Sequence, residues 1–398
     1  MDSSHWLVKR IDAAGGSVSF YEYMDLVLND PIYGAYGAGH LKIGKTGDFV
    51  TSPSLGKEFS SLLSIQIADW LNQLLIDLPY NQKLSLIEFG AGEGDLILDL
   101  LLELESSHSH LLENLEVIII EKNNAMRSKQ KNKLSLINKV KIKWLELEDL
   151  IRLKVNGIAI AHEVLDAFPV ERITFSKKTL HRVGVKLINK GKEFELILCK
   201  LPLTDKIKNY IQEIESGLGV KIVPEGVCDG WTTELHVDIK PWIEKVSGLI
   251  NDGYLLIIDY MLEISRYYSK GRHSGTLLGY KQQTATNDIL SSPGLMDLTS
   301  HLCLESIELF ACKSDFKYVG HVRQGQALIA LGLAERFESI RKLVLHDLPQ
   351  AFERREALLR LIDPRCLGDF RWIALERTSS ESTMLTRKKK PRFLQIPK

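Results

Sequence analysis

The chain has 398 residues, 44% of them hydrophobic and 26% charged, with 51 Lys and Arg balancing 51 Asp and Glu. This composition fits a globular protein longer than a single core, and its zero net charge excludes the overall basic field of a nucleic-acid binder. No stretch reaches the roughly 20 apolar residues of a membrane span, and five scattered cysteines without Cys-x-x-Cys spacing indicate neither a metal site nor a disulfide framework.

The first residues, Met1–His5, lack the basic and apolar regions of a secretory signal. Together with thiols that suit a reducing compartment, this leads to the expectation of a cytoplasmic protein. Residues 17–28 predict a short helix in which Ser19 caps and Glu22, three residues on, completes a capping box. Asn29-Asp30-Pro31 ends it. An aromatic and glycine segment, Tyr33–Gly39, follows, and then Gly47-Asp48-Phe49-Val50-Thr51-Ser52-Pro53. Polar residues set between glycines, an aromatic and a proline read either as a loop shaped for contact or as an ordinary turn. Residues 55–78 repeat Phe59, Leu62, Leu63, Ile67, Trp70, Leu71 and Leu74 at helical spacing, which predicts an amphipathic helix.

Residues 84–96 hold the strongest signal. The apolar run Leu84, Leu86, Ile87, Phe89 breaks into Gly90, Gly92 and Gly94 before a helical pattern starts at Asp95 and Leu96. A buried strand, a tight glycine turn and a helix N-terminus are expected, the arrangement on which nucleotide-like ligands lie. A dinucleotide fingerprint would place its third glycine where Asp95 stands. Glu88, two residues before Gly90, would repel phosphate but suits a cation. S-adenosylmethionine, with an ammonium, a sulfonium and no phosphate, fits better.

Leu115–Glu121 is a β-branched strand ending in an acid, placed where the second strand of a doubly wound domain binds ribose hydroxyls. The basic residues Arg127, Lys129, Lys131 and Lys133 read as a solvated helix face. Val140–Leu145 predicts a third strand, whose Trp144 serves the core or an adenine ring. Residues 157–163 predict a fourth strand running into Val164–Pro169, so His162, Glu163 and Asp166 fall at the ligand edge of the sheet. Glu163 and Asp166 could present two carboxylates to a cation such as a guanidinium.

From Val170 to about Val223 the pattern alternates as antiparallel hairpins, with a turn at Asn189–Lys192. A helix over 235–250 and a fifth strand, Gly253–Tyr260, return to the main sheet. Residues 265–301 predict a long irregular, substrate-facing loop. Phe316–Gly320 and Phe370–Glu376 predict the last strands, with helices over 325–345 and 349–362 between them. Residues 378–398 read as a basic, disordered tail.

The ordered set Gly47–Pro53, Glu88–Gly94, Ala161–Pro169, Ile258–Tyr260, Gly275–Leu277, Asp297–Thr299 and Gln324-Gly325 resembles the MidA-like class I methyltransferases. That family includes the mitochondrial complex I assembly arginine methyltransferase. The resemblance covers roughly residues 17–377. It implies an α/β fold: a doubly wound, Rossmann-like sheet of seven strands that binds S-adenosylmethionine, with an N-terminal helical cap and an inserted antiparallel β region. By the same resemblance Glu88, Gly90, Gly92, Gly94 and Asp95 would hold the methionine portion and Glu121 the ribose. Gly47, Asp48, Thr51 and Ser52 would close over the cofactor, and His162, Glu163 and Asp166 would form the acceptor side. His162 stands where many members have Asn, and Ser54 follows Pro53 where many have Glu.

The expected divisions are a cap over 1–80, a cofactor core over 81–170, the inserted hairpins over 171–230, the second half of the core over 231–377, and the tail. The resemblance implies a protein substrate, with arginine favoured. Two rival readings are a nicotinamide dehydrogenase, which Glu88 and Asp95 oppose, and a non-catalytic assembly factor that keeps the fold.

Overall fold

Strands form where β-branched and leucine runs can be buried on both faces, and the central run Leu84–Phe89 is buried at every residue. The computed structural model describes residues 5–44, 47–77, 82–190, 193–344, 346–379 and 390–395. Its main sheet has seven strands, numbered here in chain order: β1 (Leu84–Phe89), β2 (Leu115–Ile120), β3 (Lys141–Leu145), β4 (Val155–His162), β5 (Ile250–Asp259), β6 (Lys317–Arg323) and β7 (Arg371–Arg377). Across the sheet the order is β3-β2-β1-β4-β5-β7-β6. The first five lie parallel, and β7 runs antiparallel to both β5 and β6.

Alternate residues of β1 serve opposite cores. Leu84 and Leu86 pack with the Glu58–Asp77 and Asp95–Ser107 helices, whereas Ile87 and Phe89 pack with Trp242 and the Ile239–Leu249 helix. Strand order reverses between β1 and β4, which opens a crevice at the carboxyl edge. In register, Glu88 pairs with Ile160, Phe89 with Ala161 and Ile258 with His162, so the ends of β1, β4 and β5 meet there.

The capping box expected for the first helix is present: Phe20–Asn29 starts with Ser19 and Glu22 bonded to each other's backbone. Just before it, Ser17–Ser19 forms a strand that joins the inserted sheet, pairing Ser17 with Lys186. That sheet also takes in Glu171–Ser176, Thr179–Lys190, Glu193–Leu201 and Thr232–Leu235. The N-terminal segment, expected within the 1–80 cap, and the inserted strands, expected over 171–230, therefore share one sheet. Residues 191 and 192 of the expected turn lie outside the described residues.

Two further expectations are corrected. Residues 265–301 are not irregular throughout, because Leu278–Lys281 pairs with Thr284–Thr286 and with Asp297–Thr299. The tail is docked over 390–395, while 380–389 and 396–398 lie outside the described residues. There Phe393 is buried, its ring 5.9 Å from Trp70 and 5.4 Å from Trp372. Arg392 pairs with Asp69 at 2.8 Å, and its backbone N–H donates to Gln66. Local composition read this stretch as solvated, but one aromatic ring in a tryptophan-lined slot outweighs its basic neighbours.

Candidate functional site

The glycine turn between β1 and the Asp95–Ser107 helix bends through left-handed backbone at Gly90 (φ 58°) and Gly92 (φ 53°). A side chain at Gly92 would begin 3.0 Å from the Ile43 side chain, filling the space above the turn. Glu88, 4% exposed, sits directly beneath with its Oε2 unpaired. Burial, then the charge of Asp95, pushes its carboxyl up to about 8. Glu88 borders a cavity of about 70 Å³ with Thr51, Gly92, Asp95 and His162. A buried carboxyl group with one oxygen left unpaired at a cavity wall suits a cation such as an ammonium. Asp95 also borders this cavity, but its Oδ1 accepts from Lys133 at 2.6 Å. Gly94 (φ 91°) starts the helix, and what lies nearest to it is Gln130.

A second cavity, about 200 Å³, lies on the other side of the turn between Gly90, Ile120, Glu121, Phe168 and Trp242. Glu121 accepts Asn123 N–H at 2.9 Å on one oxygen and Gln130 Nε2–H at 3.1 Å on the other. Gln130 also donates to Gly92 O at 2.9 Å and accepts from Trp144 Nε1–H at 3.1 Å. Trp144 packs against the core, and its N–H is committed to Gln130. Gln130 thus ties the second acid to the glycine turn, a role its polar helical surroundings did not signal. Apolar walls with one acid at the strand end match an adenosine with its ribose hydroxyls.

Tyr36 and Glu163 border both cavities. Glu163 follows β4 in left-handed backbone (φ 51°), a conformation that costs a non-glycine residue energy and concentrates at functional sites. Its N–H donates to Ile258 O at 2.9 Å, and its Oε1 accepts Ser52 N–H at 3.3 Å. His162 Nε2 lies 3.5 Å from Glu163 Oε1, a contact too long to count as a hydrogen bond. Burial lowers the imidazole to about 3, so His162 is neutral and the contact is not an ion pair.

Beneath Glu163 lies a group of buried acids. Asp259 accepts from Leu165 and Asp166 N–H on one oxygen and from Tyr260 N–H on the other. Asp166 Oδ1 and Asp297 Oδ1 have no partner. Burial holds Glu163 and Asp166 well above the carboxylate range, and the charge of Asp259 adds to both. Burial raises Asp259 and Asp297 to about 7. Among the described residues no cation pairs with these four, and no group of His, Cys, Asp and Glu is arranged to hold a metal. Such a group lowers its energy by receiving a cation.

The 47–53 loop is built differently from the expectation. Phe49 and Thr51 border the smaller cavity. Asp48, expected to contact the cofactor, has both oxygens committed to backbone: Lys42 N–H at 3.0 Å and Gln282 N–H at 3.2 Å. Ser52 is fully buried and bonds Gln324 Nε2–H at 3.1 Å, so its contribution to the site passes through Glu163. Gly47 is packed against Lys42 O, where a Cβ would sit 2.2 Å away. Ser54 closes the turn through Thr51, bonding both its N–H and its carbonyl at 2.9 Å. Gly47, Asp48 and Ser52 therefore shape the loop and do not line the cavities. Tyr36 and Gln130 were not singled out from the sequence, whereas the strand ending at Asp259 was expected to present an acid to the ligand edge and Asp297 to lie in the substrate-facing stretch.

Residues 62–322 match the sequence family described as "Putative S-adenosyl-L-methionine-dependent methyltransferase". The chain is 25% identical to Protein arginine methyltransferase NDUFAF7, mitochondrial, of Xenopus tropicalis over 82% of its length and 72% of the relative's. It is also 25% identical to the Bos taurus protein of the same name, over 93% and 82% of the two chains. Among solved structures, a Burkholderia thailandensis protein bound to S-adenosyl-homocysteine matches with a TM-score of 0.80 at 24% identity, over 100% of this chain and 95% of that one. At that identity the likeness speaks for the fold.

Proposed function

Since the chain belongs to this family of S-adenosylmethionine-dependent methyltransferases, we propose that it methylates an arginine side chain of a protein, with Glu163 facing the acceptor. The residues present fit the cofactor. Glu88 would meet its ammonium, Glu121 its ribose, and the Gly90–Gly92 bend would leave room for its body. When bound, the cofactor supplies an electrophilic methyl group. The protein's part is to align the acceptor, exclude water and take the proton the nitrogen loses.

One observation carries the reading. Glu163 borders both cavities, beside buried acids of which Asp166 and Asp297 each keep one oxygen without a partner and with which no cation pairs among the described residues. A guanidinium arriving there would ionise Glu163 and be oriented by the hydrogen bonds its carboxylate accepts. The two relatives named as arginine methyltransferases support the same acceptor class. A reducing, cytoplasmic setting is proposed on the five free thiols. No helix among the described residues is long and apolar enough to cross a membrane.

The test is to incubate the protein with methyl-labelled S-adenosylmethionine and host proteins, then locate the label by mass spectrometry. Label on arginine, absent with Glu163→Gln, is expected. Label confined to lysine or to a small molecule would overturn the acceptor assignment.

A further inference from the structure

A third cavity, about 510 Å³, opens beside the site between Phe49, Tyr260, Tyr280, His301 and Phe370. Phe49 also borders the cavity assigned to the methionine portion, so one aromatic ring lies between the two spaces. Tyr260 follows Asp259 at the carboxyl end of β5, with its ring 4.0 Å from that of Phe370 and 5.7 Å from that of His301. Tyr280 lies on the Leu278–Lys281 strand, whose following turn is bonded to Asp48 by Gln282 and to the Asp48 carbonyl by Gln283 at 2.7 Å. Behind these rings are the acids. The Tyr260 phenol is held high by burial and then by Glu163 and Asp166, and that of Tyr280 by burial and then by Asp166 and Asp297. Asp166 Oδ1 and Asp297 Oδ1, both buried, are left without partners.

We propose that this cavity is the acceptor's entrance, and that the faces of Tyr260 and Tyr280 select a guanidinium-bearing side chain carried on a polypeptide. The proposal rests on the methyltransferase reading above and adds the route and the specificity. Tyrosine faces attract a guanidinium by cation–π contact and stack on its plane, and Asp297 lies next to Tyr280 on the neighbouring strand, paired with it in register. The volume supports a polypeptide. A space of about 510 Å³ falls in the range that encloses ligands of several hundred daltons, more than one arginine side chain fills. Arg360, on the rim, has no ion pair among the described residues and offers a contact for a carboxylate flanking the arginine.

The experiment uses a pool of blocked heptapeptides with a central arginine and randomised flanks, a matching central-lysine pool, and free L-arginine. Each is incubated with the full chain and methyl-labelled S-adenosylmethionine, and calorimetry with S-adenosylhomocysteine runs alongside. Wild type should label the arginine pool at least tenfold faster than either control. Tyr280→Ala should slow that labelling at least tenfold through a higher KM, with product affinity within twofold of wild type, and Tyr280→Phe should restore most of it. Unchanged labelling by Tyr280→Ala would overturn the entrance while leaving the methyltransferase reading intact. Equal labelling of free arginine, or no labelling of the pool by a protein that binds S-adenosylhomocysteine, would overturn the polypeptide occupant. Failure to bind S-adenosylhomocysteine would remove the underlying reading itself.

Discussion

Ser52 donates its backbone N–H to Glu163 Oε1 across 3.3 Å, so the loop that borders the cofactor space also steadies the carboxyl group proposed to face the acceptor. That contact makes Glu163→Gln a clean substitution, because the amide oxygen can still accept from Ser52. What it loses is the charge and the capacity to take a proton. Methyl transfer should fall by about 10²–10⁴-fold, while S-adenosylhomocysteine affinity stays within about twofold. Parallel loss of both in calorimetry and a labelled-methyl assay would remove Glu163 from the acceptor side.

Gly92→Val should act in the opposite sense. A β-branched residue is a strong outlier at φ 53°, and its Cβ would start 3.0 Å from Ile43. Cofactor affinity should drop more than about tenfold, as expected when backbone approach at a turn is blocked. Retained circular dichroism with undiminished affinity would show that the ligand does not approach this bend.

Glu88 predicts a pH dependence of binding. Its carboxyl, held at about 8 by burial and by Asp95, is mostly protonated at neutral pH without ligand. A cationic ligand favours the ionised form, so binding releases a proton and tightens as pH rises toward about 8. The gain approaches about tenfold per pH unit for one linked proton. Glu88→Gln should flatten this slope in calorimetry between pH 6 and 8, whereas an unchanged slope would assign the linkage to another group.

Asp297 predicts a pH dependence of stability. Its folded value, about 7, lies above the ordinary 3.8, so the folded state holds its proton more tightly. For such a group stability is complete below the unfolded value and is lost as pH climbs toward the folded one. Asp297→Asn should therefore gain on wild type between pH 5 and 7, by at most about 1.4 kcal/mol per pH unit. Thermal unfolding of the two proteins side by side measures the gap, and a gap that shrinks with pH would contradict it.

Phe393→Ala removes a buried ring from the slot between Trp70 and Trp372. A loss of about 3–5 kcal/mol is expected for such a truncation. None of the three rings borders either of the two cofactor cavities, so S-adenosylhomocysteine affinity at low temperature should be unchanged. A Tm equal to that of wild type would mean that the segment contributes nothing to the fold.

The parts of this molecule legible from sequence are those where local pattern and tertiary need agree. The Ser19–Glu22 box, the strand before Gly90 and the acid after β2 each carry their own signal, because the glycine turn and the strand ends are short-range features. What was not legible depends on distant partners. Asp48 reads as a loop carboxylate until Gln282 is found against it, and Gln130 as a helix-surface residue until Glu121 and Gly92 meet it. The Ser17–Ser19 strand was hidden for the same reason, since its partner Lys186 is supplied by the insertion. Phe393 lay in a basic stretch where composition outvoted a single ring.

Gln66 and Phe393 are joined by a hydrogen bond although 327 positions separate them in the chain. During synthesis the trough beside Trp70 consequently stays open while everything between is being made. A nascent chain exposes that greasy surface until residues 391–395 emerge, and chains cut short before that point never cover it. Prematurely terminated products are therefore the species expected to cling to chaperones or to one another.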